Sequence, residues 1–167
     1  MKPSIACRDL ARGGTVRHLQ LDARCLPVKN GSIDVVLFAV NGLDYIHPAT
    51  ARIAAIRAIA DVLKGGGSFI FSSLNPLGAV LSPRGRFWTA GYWQLRQSAW
   101  RPIHQTHYRS PHDLLLYHAS PQTNVEQVTA GTGLKLVEAF GRSGLSLPLW
   151  LLHLIDGWPY SVFQKPV

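Results

Sequence analysis

The sequence is poor in charge, in cysteine and in long apolar runs. Only 16% of its 167 residues are charged and 47% are hydrophobic, which excludes an intrinsically disordered chain and favours a single globular domain. Its two cysteines, Cys7 and Cys25, are too few for a disulfide-rich scaffold. No run reaches the roughly 20 apolar residues needed to cross a bilayer, and the first residues contain no signal-peptide core. We therefore expect a cytoplasmic protein without a transmembrane segment.

Positive charge is in excess, since the sequence has 17 lysines and arginines but 9 acidic residues, which gives a net charge of +8. This balance allows an anionic substrate, nucleic acid or acidic lipid without choosing among them. The stretch 84–101 interleaves arginines with aromatic residues, as platforms for single-stranded nucleic acid do. A substrate lid with tryptophan anchors and arginines at its rim has the same composition. We favour the lid, and do not expect nucleic acid to be the partner.

The first half of the chain predicts alternating strands and helices. Residues 16–21 alternate between apolar and polar positions, which is typical of a short strand. Residues 35–40 are continuously apolar and predict a strand buried on both faces of a parallel sheet. The apolar stripe of residues 48–64 predicts a helix with Arg52 mostly off the stripe, ended by left-handed glycines at 65–67. Residues 68–74 predict a second buried strand, which completes a βαβ crossover.

The second half predicts an insertion followed by one helix and paired strands. Residues 76–112 are rich in aromatic and basic side chains and predict an insertion or lid. The elements predicted after it are a strand at 114–119, a helix at 121–130, and strands at 134–140 and 159–164. We therefore expect a single α/β domain over 1–167, a three-layer sandwich divided into a cofactor-side half at 1–75, the insertion at 76–112 and a C-terminal part at 113–167.

Several of these segments resemble class I S-adenosylmethionine-dependent methyltransferases, in particular those of type 11. DARCLPV at 22–28 and IDVV at 33–36 are similar to the family's D-A-x-x-L-P-F and F-D-x-V. LKGGG at 63–67 is similar to its L-K-P-G-G, and residues 130–140 resemble its late A-G-F-x-x-V. The resemblance implies a partial Rossmann-like methyltransferase fold with a mostly parallel sheet and antiparallel C-terminal strands. It also implies S-adenosyl-L-methionine as the cofactor.

The sequence lacks two features of that family. The glycine-rich G-x-G-x-G loop and the acidic residue that ends the second strand are both missing, and residues 1–6 resemble the segment just after that acidic residue. We therefore expect an N-terminally truncated relative in which the strand at 35–40 keeps an unpaired edge. Three outcomes stay open: the strand at 16–21 covers that edge, a homodimer or a partner chain covers it, or the chain is poorly stable.

The resemblance also implies cofactor-binding residues. Asp22 would accept a hydrogen bond from the adenine amino group, and the N–H of Ala23 would donate to the adenine ring. Val40 and Asn41 follow the strand that passes the sulfonium side of the cofactor in the family. Each has a plainer interpretation, because Asp22 is also a typical turn residue and Asn41 a typical first residue of a loop.

The sequence gives less support for catalytic and substrate-side residues than for the cofactor-binding residues. Tyr45 and His47 lie near the predicted site mouth, where His47 could act as a base, although its position before Pro48 favours a simple helix entry. On the substrate side we place Trp88, Trp93 and Tyr108. Two other patterns carry no chemistry in our interpretation: a metal site is not expected at His104, His107 and His112, and Ser72 and Ser73 lack the G-x-S-x-G setting of a hydrolase nucleophile.

Methyl transfer from S-adenosylmethionine to a small-molecule acceptor is the function that the sequence favours. Positioning dominates this chemistry, because the methyl group is already activated by the sulfonium. Two alternatives stay open: a non-catalytic, truncated relative acting as a partner subunit or scaffold, and a basic RNA-associated protein.

Overall fold

A computed structural model describes residues 21–81, 106–109 and 115–167 of the chain. The described elements alternate between strands and short helices along most of the chain. The strands are β1 (Ile33–Phe38), β2 (Leu63–Ser72), β3 (Thr106–Arg109), β4 (Leu115–His118), β5 (Lys135–Phe140) and β6 (Tyr160–Gln164). The helices are α1 (Ala49–Val62), α2 (Pro76–Leu81), α3 (Pro121–Thr132) and α4 (Leu149–Ile155), with a 3-10 turn at Gly42–Tyr45.

Four of the strands form one mixed sheet in the order β1-β2-β6-β5. β1 runs parallel to β2, whereas β6 is antiparallel to both β2 and β5. β3 and β4 pair with each other in a separate antiparallel sheet. The order confirms the predicted α/β, Rossmann-like class, in which a parallel βαβ unit is followed by antiparallel C-terminal strands.

The core lies between α1, α3 and one face of the sheet. Ile56 and Ile59 of α1 are at most 1% exposed and belong to one buried cluster with three phenylalanines of β2 and β6. The rings of Phe69 and Phe71 stack with centroids 5.1 Å apart, and Phe71 and Phe163 stack at 5.8 Å. Stacked aromatic pairs of this kind add to the burial of apolar area. This face of the sheet is therefore well packed.

The opposite face of β1 is exposed, so the prediction of a strand buried on both faces is wrong. Val35 is 55% exposed and Leu37 is 60% exposed, while Val36 and Phe38 pack against the core. Within the described ranges β1 hydrogen-bonds only to β2 and forms the edge of the four-stranded sheet. The apolar run indicates a strand with two apolar faces, but it does not tell whether both are covered. Of the predicted strand at 16–21 only Leu21 is described, and it lies outside any strand.

Helix α1 ends differently from the prediction. Leu63, which caps the helix, is already extended, with φ −69° and ψ 138°, and β2 begins there. Gly66 alone of the three glycines has a positive φ, 77°, and it lies inside β2. Lys165, from the far end of the chain, closes the helix, because its Nζ donates to the carbonyls of Ala60 and Leu63 at 2.7 and 2.8 Å.

Helices α2 and α4 pack against each other, and neither was predicted. Between them Asn75 is fully buried, and its Nδ2 donates to the carbonyls of His153 and Asp156 at 3.0 and 2.7 Å, near the end of α4. Residues 76–81 are thus helical where an insertion was predicted to begin.

Within the described ranges, no helix combines the length and apolar character that spanning a membrane requires. The division into 1–75, 76–112 and 113–167 stays a prediction.

Candidate functional site

A left-handed turn follows β1 at the carboxyl end of the strand. Val40 has φ 55° and Asn41 has φ 54°. A β-branched residue in this region is a conformational outlier, which costs on the order of 1 to 3 kcal/mol and persists only where its surroundings enforce it. Gly42 N donates to the Ala39 carbonyl at 3.1 Å, and Asn41 N donates to Ser72 Oγ at 3.1 Å. The strained turn is therefore held by one hydrogen bond within the turn and by one to the end of β2.

Just after this turn, a buried ion pair fixes the loop to helix α1. Asp44 is fully buried and Arg52 is 1% exposed, and Arg52 Nη1 donates to Asp44 Oδ1 at 3.0 Å. The same nitrogen donates to the Leu43 carbonyl at 2.6 Å. Asp44 Oδ2 accepts from Leu74 N at 2.7 Å, which joins the loop to the end of β2 a second time. The prediction that Arg52 lies off the buried stripe is wrong, since these partners make its burial tolerable.

Arg52 also reaches helix α3 and strand β4. Its Nη2 donates to Asn124 Oδ1 at 2.9 Å, and its Nε donates to Gln127 Oε1 at 2.8 Å. The guanidinium carbon lies 4.3 Å from the centre of the Tyr117 ring, which is close enough for a cation–π contact. One side chain therefore connects the loop after β1, α1, α3 and β4.

Burial raises the pKa of the Asp44 carboxyl to about 6, although the charge of Arg52 and the N–H of Leu74 both act in the opposite direction. Desolvation outweighs the ion pair, as is common for carboxyls taken fully out of water. The ionised form of Asp44 consequently depends on Arg52 remaining in place.

A cavity of about 720 Å³ opens beside the loop after β1. Its lining brings together four of the predicted site residues, from the predicted adenine segment and from the end of the loop. In the described part of the chain, the lining residues are Leu21, Asp22, Ala23, Arg24, Tyr45, Ile46 and His47. Val40 and Asn41 lie at the start of the same loop but do not line this cavity. The structure thus brings predicted residues from two distant segments of the chain to one cavity, and their roles stay predictions.

Asp22 is already engaged by Arg24 in the structure. Its Oδ1 accepts from both Arg24 N and Arg24 Nε at 2.9 Å, and its Oδ2 accepts from Arg24 Nη2 at 2.6 Å. These hydrogen bonds lower the pKa of Asp22 to about 2, so this exposed carboxyl is ionised at neutral pH and can accept further hydrogen bonds. The contact with Arg24 N is the turn role considered from the sequence. The adenine role of Asp22 and Ala23 stays a prediction.

Tyr45 and His47 occupy different environments in the same cavity. Tyr45 is 47% exposed. His47 Nε2 hydrogen-bonds with the main-chain carbonyl of Leu115 at the start of β4, so this nitrogen carries the proton. The contact ties the loop to the start of β4, and the role of His47 as a base or as a helix-entry residue stays a prediction.

Several predicted residues fall outside the described part of the chain. Trp88, Trp93, His104 and His112 are among them, and Tyr108 lies in β3 without a described side chain. In the ranges that are described, no three histidine, cysteine or acidic side chains are grouped closely enough to hold a metal ion. The substrate-side assignments therefore stay predictions.

Sequence reasoning missed the roles of two serines, of which Ser72 holds the loop after β1 and Ser73 holds helix α3. Ser72 and Ser73 were considered only as nucleophiles, yet Ser72 accepts from the main chain of Asn41, and Ser73 Oγ accepts from Asn124 Nδ2 at 3.0 Å. A signal was available, because buried hydroxyls need hydrogen-bond partners and two serines end an otherwise apolar strand.

Comparison with solved structures identifies the fold. A Methanosarcina mazei S-adenosylmethionine-dependent methyltransferase matches with a TM-score of 0.58 and 14% identity, over 88% of this chain and 66% of its own. The Burkholderia thailandensis 1,6-didemethyltoxoflavin-N1-methyltransferase, solved with S-adenosylhomocysteine, matches with a TM-score of 0.61 and 15% identity, over 100% and 58%. A methyltransferase in a Haloferax volcanii complex with the activator Trm112 matches with a TM-score of 0.55 and 16% identity, over 89% and 60%.

The chain therefore has the fold of class I S-adenosylmethionine-dependent methyltransferases, and spans 58% to 66% of the length of these three structures. No family model matches the sequence, and no curated protein matches it either. Because a fold alone hosts many activities, the reaction has to be argued from the site.

Proposed function

We propose that this chain belongs to an S-adenosylmethionine-dependent methyltransferase acting on a small-molecule acceptor. The supporting observation is the cavity that brings Asp22 and Ala23 beside Tyr45 and His47, at the loop that follows the carboxyl end of β1. Open α/β sheets bind their ligands outside the carboxyl ends of the strands. The proposal is thus supported both by the fold and by the position of the cavity at the edge of the sheet where ligands are expected.

The groups lining the cavity fit an adenosine moiety. Asp22 is an exposed carboxylate, and a carboxylate is an acceptor suited to an amino group. The N–H of Ala23, the next residue, would donate to the adenine ring. A volume of about 720 Å³ lies within the roughly 300 to 1,000 Å³ of small-molecule sites. When bound, S-adenosylmethionine supplies a methyl group activated by its positively charged sulfur.

The protein's own task would be alignment. We propose that the turn at Val40 and Asn41 lies on the sulfonium side, beyond the residues that line the cavity, because Val40 is exposed and Asn41 is fixed by Ser72. Holding the acceptor in line with the transferred group supplies much of the rate enhancement. A base is required only for a weakly nucleophilic acceptor, and Tyr45 and His47 are the two candidates for it.

The Asp22→Ala substitution is expected to weaken binding of S-adenosylhomocysteine about 10-fold or more, because hydrogen bonds to a charged group contribute about 1.5 to 3 kcal/mol. Isothermal titration calorimetry measures the dissociation constant. Asp34→Ala is the matched control, since Asp34 is also an exposed aspartate with one cation partner, Lys64 at 2.7 Å, but lies at the opposite end of β1. Equal dissociation constants for Asp22→Ala and the unsubstituted chain would refute the adenine assignment.

Substrate-side contacts and partners complete the proposal. Trp88, Trp93 and Tyr108 are proposed to contact the acceptor, in a cytoplasmic protein. A second copy or a partner chain is proposed to cover the edge of β1, a strand that also exposes Val35 and Leu37 on one face. The Haloferax complex with Trm112 supports the general idea of such a partner. Sedimentation at micromolar concentration tests it, since a monomer without added protein would exclude the homodimer.

A non-catalytic scaffold is the second candidate. It is favoured by the contact between Arg24 and Asp22, which occupies the proposed adenine acceptor. Arg24→Ala distinguishes the two candidates: in a cofactor site it leaves the affinity for S-adenosylhomocysteine unchanged or raises it, whereas a scaffold does not bind the ligand in either form.

A further inference from the structure

Ser72 joins the ends of β1 and β2 at the strained turn. It is the last residue of β2 and is 2% exposed, and its Oγ accepts from Asn41 N at 3.1 Å. The preceding residue, Phe71, is in register with Phe38, the last residue of β1. The hydroxyl therefore lies where the main chain of β1 has just left the sheet.

The turn that Ser72 contacts needs external support. Val40 is 82% exposed, so its side chain gains little from packing that could offset its left-handed conformation. Asn41 repeats the left-handed conformation directly afterwards. Such backbone is retained only where neighbouring groups enforce it, and it concentrates at ligand sites.

The other end of the loop has separate attachments. Asp44 is held by Arg52 and Leu74 N, and His47 contacts the Leu115 carbonyl. These contacts act three or more residues beyond the strained pair. Between β1 and Asp44, the described hydrogen bonds to other elements are those from Asn41 N to Ser72 Oγ and from Arg52 Nη1 to the Leu43 carbonyl, and of the two only the first reaches the strained pair itself.

We propose that Ser72 is a positioning residue: its hydroxyl holds Val40 and Asn41 in the left-handed conformation, which sets the course of the loop that carries Tyr45 and His47 into the cavity. The inference rests on the proposed function for its consequence in binding, but not for its effect on the loop. Ser72 acts on the main chain of Asn41 and does not line the cavity.

Ser73 provides a matched control. It is 3% exposed, and its Oγ accepts from Asn124 Nδ2 of α3 instead of from the loop. Ser72→Ala and Ser73→Ala therefore each remove one buried hydroxyl with one side-chain hydrogen bond. Loss of stability is expected in both variants, so it does not distinguish positioning from a purely structural role.

Hydrogen exchange and ligand titration make the distinction. In Ser72→Ala, the amides of residues 41–47 are expected to exchange about 2- to 10-fold faster, as the loss of one hydrogen bond predicts. In Ser73→Ala, the exchange rates of the same amides are expected to be unchanged. The dissociation constant of S-adenosylhomocysteine is expected to rise about 3- to 10-fold in Ser72→Ala and less than about 2-fold in Ser73→Ala. Ser72→Thr, which keeps the hydroxyl, is expected to restore both values.

Equal exchange of residues 41–47 in the two alanine variants would overturn the proposal. If the unsubstituted chain does not bind S-adenosylhomocysteine, the proposed function fails, and hydrogen exchange alone still decides the role of Ser72. If Ser72→Ala does not fold, Ser72→Thr and Ser72→Val replace the pair, since they have nearly the same shape and differ in the hydroxyl. Equal exchange in those two would likewise overturn it.

Discussion

Replacing Arg52 by methionine is expected to lower the free energy of unfolding by about 3 to 5 kcal/mol, the range observed when one partner of a buried ion pair is removed. Methionine keeps much of the apolar length of the arginine side chain but leaves Asp44 buried without its cation. Asn124 and Gln127 also lose a donor each. Urea unfolding followed by circular dichroism measures the change, with the midpoint and slope reported separately.

Arg57→Met is the control for Arg52→Met. Arg57 lies on the same helix and is exposed, and its described hydrogen bond is one contact of 3.4 Å from Nε to the Gly131 carbonyl. Surface substitutions of this kind usually change stability by no more than about 0.5 kcal/mol. Equal stabilities of the Arg52→Met and Arg57→Met variants would contradict the assignment of Arg52 as the residue that connects the loop to the helices.

Gly78→Ala is expected to destabilise the protein by about 3 kcal/mol, at the upper end of what overpacking a close-packed region costs. A Cβ at this position would lie 2.1 Å from the Asp156 carbonyl oxygen and 2.6 Å from Asn75 Nδ2. The Asp156 oxygen belongs to the backbone, and Asn75 Nδ2 belongs to a fully buried side chain. Neither atom can move without breaking the hydrogen bond between them at the end of α4. Thermal unfolding measures the loss.

Gly131→Ala is the matched control for Gly78→Ala. Among the residues that the structure describes, no heavy atom lies within 4 Å of the Cβ it would add, and Gly131 is inside α3. Alanine in place of a helical glycine is expected to stabilise the protein by about 0.5 to 1 kcal/mol. A Gly78→Ala variant as stable as Gly131→Ala would mean that α2 and α4 do not approach each other as closely as the structure has them.

The elements predicted best from the sequence are those whose signal is local. The helical periodicity around Ile56 and Ile59 is enough to predict α1, and the apolar runs are enough to predict β1 and β2. The capping serine of α3, Ser120, accepts from Thr123 N at 3.0 Å, as its position before Pro121 indicates. Short-range patterns of this kind do not depend on what packs against them.

Features that depend on distant partners could not be predicted in this way. Arg52 is buried because acceptors from the loop and from α3 converge on it, and α1 is closed by Lys165, about one hundred residues later. The left-handed conformation of Val40 contradicts its local preference and is enforced by Ser72. Such conflicts between local preference and structure are expected at functional sites.

The candidate site was predictable to the extent that it follows short motifs. Asp22 and Ala23 were identified by the segment at 22–28, and the structure brings them beside Tyr45 and His47. The sequence could not show that Arg24 engages the carboxylate of Asp22, since that pairing depends on the local turn geometry.

Titration of the 167-residue chain with S-adenosylhomocysteine tests the central claim most directly. The chain should first be shown to be folded by a cooperative thermal transition. We predict saturable binding with a dissociation constant in the micromolar range, corresponding to about −8 kcal/mol, because the cavity beside Asp22 has the groups and the volume that adenosine requires. A folded chain that releases or absorbs no heat and shows no shift in its melting temperature at millimolar ligand would contradict the proposed function.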